Sequence, residues 1–180
     1  CWGWNADGQV GDGTIIDKTI PTQVSGLTGI IKISAGSYHN LALKNDGTVW
    51  SVGDNTTGVF GNGSISNSPT NIPSKMLGVN TAVRVANGVF NNLVLLSNGS
   101  VLVTGSNIYN GLGNSSAQNS KELTPIPITG LSNIIDIAAG NYHSLVLRED
   151  GIVFAFGRNS EGQIGDGTSG PGNVSGISQV

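Results

Sequence analysis

The sequence predicts an all-β protein, a β-propeller built from four-stranded antiparallel blades. Three observations carry that prediction. A glycine phrase opens at Gly3, Gly53, Gly105 and Gly157, and a second glycine follows each eight residues later, at Gly11, Gly61, Gly113 and Gly165. Gly36, Gly88 and Gly140 fall between them, 52 residues apart, as do the turn pairs Asp46-Gly47, Asn98-Gly99 and Asp150-Gly151. Finally, strand-length apolar runs sit between these markers in the same order each time. A fixed period near 50 means one supersecondary unit copied several times, and four strands per ~40–50 residues is the size of a propeller blade.

Composition supports the class. Glycine is 28 of 180 residues, and charged residues are 11% against a usual ~25%. Asn, Ser and Thr fill the polar positions, and all are weak helix formers. Recurrent apolar runs separate the chain from disordered sequences. The net charge is −3 and no basic cluster occurs, which argues against a nucleic-acid surface. No apolar stretch approaches the ~20 residues of a membrane helix. The single Cys1 leaves no internal disulfide and no cysteine metal site.

Each element has its own signal. The first strand reads Ile31–Ala35, then Val83–Ala86 and Ile135–Ala138, with Lys32, Arg84 and Asp136 alternating with apolar residues as in a half-buried strand. The second, Leu41–Leu43, Leu93–Leu95 and Leu145–Leu147, is apolar throughout, as for a strand covered on both faces. Asp-Gly or Asn-Gly then predicts a two-residue type I′ turn. The third strand is Val49–Val52, Val101–Thr104 and Ile152–Phe156. The fourth carries Ile20-Pro21, Ile72-Pro73 and Ile126-Pro127, and proline places it at the outer edge. The loop before it begins at Asn5, Asn55, Asn107 and Asn159; Asn110 stands where other copies have glycine, which predicts a left-handed residue. The repeat units are then about 1–29 (partial), 30–81, 82–133 and 134–180, or about three and a half blades.

These residues resemble a known family. Trp2-Gly3-Trp4-Asn5-Ala6-Asp7-Gly8-Gln9-Val10-Gly11-Asp12-Gly13-Thr14, repeated from Phe156 to Thr168, is similar to the opening phrase of the regulator of chromosome condensation repeat. Ala35–Leu43 and Ala139–Leu147 look like its second hallmark. The second copy departs from it: Val52 replaces the aromatic, and Phe90-Asn91 replaces Tyr-His. The resemblance implies a seven-bladed ring, of which this chain would be a segment, with the remaining blades supplied by a longer chain or other subunits.

Function is expected where the copies build a joint surface. Tyr38, Phe90 and Tyr142 are equivalent turn residues that a propeller sets in a ring on one face, and clustered aromatics are what interface hot spots are made of. In some secreted bacterial propellers resembling this family, the corresponding turn aromatics contact a protein partner. Trp4, at a position otherwise held by Asp54, Ser106 and Arg158, is the further contact candidate. The adjoining His39, Asn91 and His143 join this candidate surface, although the Asn in one copy favours a hydrogen-bonding role at the turn over acid–base chemistry. Trp2 and Trp50 are expected in the inter-blade core. The Gly8–Gly13 phrase lacks the following helix that a phosphate loop needs. Asp12 and Asp166 face Asn62 and Asn114 in the other copies, so they read as turn caps rather than calcium ligands. The variable loops 12–20, 62–72 and 114–124 are the second place for partner-specific function.

The expectation is therefore a non-enzymatic scaffold binding a protein through one face, without cofactor, nucleic acid or membrane insertion. An extracellular or cell-surface structural or adhesive module is the first alternative, on low charge and Asn/Ser/Thr content. Guanine-nucleotide exchange on a small GTPase is the second, from the resemblance; no basic tail accompanies it here.

Overall fold

The computed structural model describes residues 1–114, 116–170 and 173–180. Ser115, in the third variable loop, and residues 171–172, in the last repeat unit, lie outside the described residues. Three separate four-stranded antiparallel sheets follow one another along the chain. The first holds β1 (Ile30–Ala35), β2 (His39–Lys44), β3 (Val49–Asn55) and β4 (Ser66–Lys75). The second holds β5 (Ala82–Asn87), β6 (Asn91–Leu96), β7 (Val101–Ser106) and β8 (Lys121–Pro127). The third holds β9 (Ile134–Ala139), β10 (His143–Arg148), β11 (Val153–Arg158) and β12 (Asn173–Gln179). Strand order within each sheet is the chain order. β1 and β5 touch, as do β5 and β9, so the first strands lie side by side at the inner edges of stacked blades. The proline-bearing β4 and β8 form the opposite edges.

The core lies in the seams between sheets. One seam buries Leu41, Leu43, Val49, Met76, Val79, Ala82 and Val94. The other buries Leu93, Leu95, Val101, Val103, Leu112, Ile128, Ile134, Val146 and Phe156. β6, with a blade on either side, is buried along nearly its whole length. β2 and β10 alternate buried and half-buried residues, since each belongs to a blade with a described full neighbour on one side only.

Several expectations need correction. The first strands do not follow simple alternation. Each slips register after its opening residue, between Ile30 and Lys32, Ala82 and Arg84, and Ile134 and Asp136. Ile31, Val83 and Ile135 are the unpaired residues of these bulges and are exposed. The hairpins joining second and third strands are not type I′. Gly47, Gly99 and Gly151 have positive φ, but Asp46, Asn98 and Asp150 do not. Gly47 N–H donates to the Lys44 carbonyl at 3.0 Å, closing a three-residue loop in which a turn is followed by one left-handed glycine. The Asp or Asn serves through its side chain: Asp46 Oδ1 accepts the Thr48 N–H at 3.0 Å, and Asn98 and Asp150 accept from Ser100 and Ile152 in the same way.

In the partial unit, Ile20-Pro21 forms no strand. The chain pairs instead at Gly3 with Lys18, in both directions at 2.7 and 2.9 Å, and at Cys1 with Thr22. Trp2, at the start of the partial unit, is 67% exposed rather than core. Trp50 is half-buried, with the Lys44 ammonium 5.9 Å from its ring centre. Much of the variable segment 62–72 is the first part of β4, and the end of 114–124 is the start of β8.

Candidate functional site

The turns between first and second strands and the loops between third and fourth strands emerge at the same end of every blade. They make one face of the molecule, and its geometry is set by glycines and buried asparagines. In each loop an Asn is buried and holds the loop closed. Asn5 Oδ1 accepts the Val10 N–H at 2.8 Å while its Nδ2 donates to the Thr14 carbonyl at 3.1 Å. Asn55, Asn107 and Asn159 repeat both bonds, to Phe60 and Ser64, Leu112 and Ser116, and Ile164 and Thr168. The residue five after each Asn (Val10, Phe60, Leu112, Ile164) is thereby pinned into the core. Asn110 takes φ 57°, as its place in the repeat predicted, beside φ of 78°, 80° and 82° at Gly8, Gly58 and Gly162.

In the three full blades the glycine that opens the phrase has a specific task. Gly53, Gly105 and Gly157 take φ of 119°, 100° and 111°, and a Cβ there would strike the carbonyl of Tyr38, Phe90 or Tyr142. This close approach lets the next backbone N–H bind the same carbonyl: Asp54 to Tyr38 at 2.9 Å, Ser106 to Phe90 at 2.8 Å, and Arg158 to Tyr142 at 2.9 Å. Each aromatic turn is also closed by a glycine N–H, Gly36 to His39, Gly88 to Asn91 and Gly140 to His143. The three aromatics therefore stand on rigid, identically built supports.

They form one continuous row. Trp4 meets Tyr38 edge-on at 6.2 Å with planes 70° apart. Tyr38 stacks on Phe90 at 6.4 Å and 12°. Phe90 meets Tyr142 at 6.0 Å, and Tyr142 meets Tyr109 at 5.3 Å. These separations are those of attractive aromatic pairs. The rings pack on one another and keep an open side: Trp4 is 52% and Tyr38 39% exposed, with Phe90, Tyr142 and Tyr109 half-buried. Tyr109 was missed from the sequence. Its signal was an aromatic where the other loops have Asp7, Thr57 and Glu161.

His39 and Asn91, expected at the contact surface, belong inside. His39 is 1% and Asn91 3% exposed. Their side chains face the next blade, His39 toward Asn92 and Asn91 toward Ser144. The anticipated bond to the turn is a bond across the seam instead. Burial holds the His39 imidazole below its usual pKa. His143 is half-buried with its ring packed over Gly140.

Flanking charges differ from blade to blade. Arg158 extends over Tyr109 and Tyr142, its guanidinium 5.7 and 5.8 Å from the ring centres, and pairs with Glu161 at 2.8 Å. Around Tyr38 the corresponding residues are Asp7 and Asp54. The Asp7 carboxyl is pushed up by burial and by the nearby charge of Asp54. Asp12 is occupied elsewhere: Lys18 at 2.8 Å and Thr14 hold its pKa down at about 2. Asp166 caps Thr168 in the same manner. Among the described residues no group of three His, Cys, Asp or Glu side chains is placed to hold a metal ion.

Two models of the regulator of chromosome condensation (RCC1) repeat match, one over residues 30–59 and 134–163, the other over 1–43 and 98–147. The X-linked retinitis pigmentosa GTPase regulator homolog of Caenorhabditis elegans is 34% identical over 89% of this chain and 12% of its own length. The human E3 ubiquitin-protein ligase HERC2 is 34% identical over 93% of this chain and 4% of its own. An RCC1 repeat-containing protein of Dictyostelium discoideum is 31% identical over 91% of this chain and 36% of its own. The chain thus spans well under half the length of these relatives. Among solved structures, Prp20p of Saccharomyces cerevisiae superposes with a TM-score of 0.87 at 20% identity, over 99% of this chain and 45% of that one. Human WBSCR16 does so at 0.78 and 21%, over 98% and 45%.

Proposed function

Because the chain belongs to the RCC1 repeat family, whose propellers are protein-interaction folds, we propose that it is a non-enzymatic scaffold that binds a protein partner through the aromatic face. The observation that carries the reading is the unbroken row Trp4–Tyr38–Phe90–Tyr142–Tyr109 on rigid turns. Preordered aromatics lose little conformational entropy on binding and supply large contact area. The test is a photo-crosslinking residue placed at Ser37, on this face, or at Asn98, on the opposite hairpins. Partner crosslinks concentrated at Ser37 and abolished by replacing Tyr38, Phe90 and Tyr142 together with Ala support the reading. Equal crosslinking at Asn98, or binding unchanged in the triple variant, sinks it.

Exchange activity on a small GTPase is the second reading. It is favoured by the name of the nematode relative and by Prp20p, whose structure is described with its binding to Gsp1p. Clear acceleration of nucleotide release from a GTPase would put it first. On composition alone we place the protein outside the cell or at its surface; protease treatment of intact cells that leaves it untouched would overturn that placement.

A further inference from the structure

The geometry points to a subsite for a cationic side chain of the partner at the Trp4–Tyr38 end of the aromatic row. This rests on the reading that the aromatic face binds protein, and adds the chemistry of what it binds there.

The repeat itself supplies the comparison. Each turn aromatic is flanked by two variable residues, one from the preceding loop and one just after the phrase-opening glycine of its own blade. At Tyr142 these are Tyr109 and Arg158; at Phe90, Thr57 and Ser106; at Tyr38, Asp7 and Asp54. In the third blade the chain satisfies its aromatics with its own cation, the Arg158 guanidinium over both tyrosine rings with Glu161 beside it. In the first blade the same ingredients stand without the cation. Trp4 and Tyr38 present two rings 70° apart at 6.2 Å, open to solvent. The charge of Asp54 lies close enough to Asp7 to disfavour the charged form of the Asp7 carboxyl. Among the described residues neither carboxylate has a salt-bridge partner; the Asp54 oxygens accept only from the Thr56 N–H and hydroxyl, at 3.0 and 2.8 Å. Lys121 is directed to the Thr56 carbonyl at 3.0 Å. The exposed ring surface of Trp4 and Tyr38 and the two nearby negative charges complement an arginine or lysine head group on both counts, since a cation is drawn to aromatic π density and to carboxylates. A neutral or acidic side chain would leave the like-charged pair uncompensated.

Capped Gly-Arg-Gly and Gly-citrulline-Gly peptides provide the probe. The citrulline side chain keeps the shape and loses the charge. The full chain is labelled with fluorotryptophan, and the Trp4 fluorine resonance is assigned with Trp4→Phe. The Arg peptide is expected to shift that resonance saturably, about tenfold more tightly than the citrulline peptide. Asp7→Asn with Asp54→Asn should erase the difference; Asn at 54 keeps the oxygen that accepts the Thr56 N–H at 3.0 Å and loses only the exposed acceptor of the Thr56 hydroxyl. Equal affinity for both peptides, or no saturable response to the Arg peptide in the millimolar range, overturns the subsite. The two readings fail separately. Arg-selective binding at Trp4 with partner crosslinks on the opposite hairpins removes the protein-contact reading alone. Crosslinks on the aromatic face without charge selectivity remove the cation subsite alone.

Discussion

His39 Nε2 lies 2.7 Å from Asn92 Oδ1, across the seam between the first and second blades. Asn92 Nδ2 is committed to the Val59 carbonyl, so Oδ1 is the acceptor and His39 Nε2 carries the proton. The next seam repeats the arrangement with Asn91 and Ser144, also 53 residues apart. Asn40 and its equivalents 52 and 104 residues on complete the seams by donating to a loop carbonyl of the unit before: Asn40 to Gln9, Asn92 to Val59, Ser144 to Gly111. The repeat is thus stitched by polar pairs at its aromatic end and by apolar packing along its length.

His39→Ala should therefore cost about 2–3 kcal/mol, since it removes a buried donor and leaves Asn92 Oδ1 unsatisfied. His39→Asn should cost less, because the second blade has Asn91 at this position. Urea denaturation, read as a shifted midpoint at constant slope, measures both.

The same residue predicts a pH dependence. Burial lowers the folded-state pKa of His39 below the ordinary 6.5. The unfolded chain then binds more protons than the folded chain in the window below that value. Stability should be flat above about pH 6.5 and fall as pH drops toward the lowered folded pKa. The fall should be smaller in His39→Asn. A stability curve unchanged by the substitution across this window would contradict the assignment.

Asn55→Ala should destabilise by about 3 kcal/mol, because the buried loop loses an acceptor for Phe60 N–H and a donor to the Ser64 carbonyl together. Thr57→Ala, one loop position from the glycine, should stay within about 1 kcal/mol: its hydroxyl is buried without a partner. Thermal unfolding of the two variants side by side tests whether the Asn holds the loop.

Glycine positions separate conformation from contact. Gly53→Ala should cost about 2–3 kcal/mol, since it meets both a positive φ and the Tyr38 carbonyl. Asn110→Gly should be neutral within about 0.5 kcal/mol and Asn110→Ala should lose about 1 kcal/mol, since only a left-handed conformation is at stake there. Calorimetry on the three variants decides the ranking.

The sequence by itself determined the blade. Glycines at fixed spacing, prolines in the fourth strand and apolar second and third strands are local consequences of φ, of a missing N–H and of burial. They read correctly in the full blades, as did the left-handed Asn110 and the turn caps at Asp12 and Asp166, whereas Ile20-Pro21 in the partial unit forms no strand. The bulges at Ile31, Val83 and Ile135 escaped, because one extra residue leaves the apolar pattern almost unchanged while turning the side chain outward. What only the tertiary structure decided depends on neighbouring blades. His39 and Asn91 moved from the surface to the seam, because their partners stand 53 residues away. Tyr109 joined the aromatic row, and Asp7 and Asp54 came to flank one tyrosine, because stacking sets the loop of one blade against the turn of the next. A repeat writes its unit in every copy, but the surface made between copies arises from packing, and no single copy encodes it.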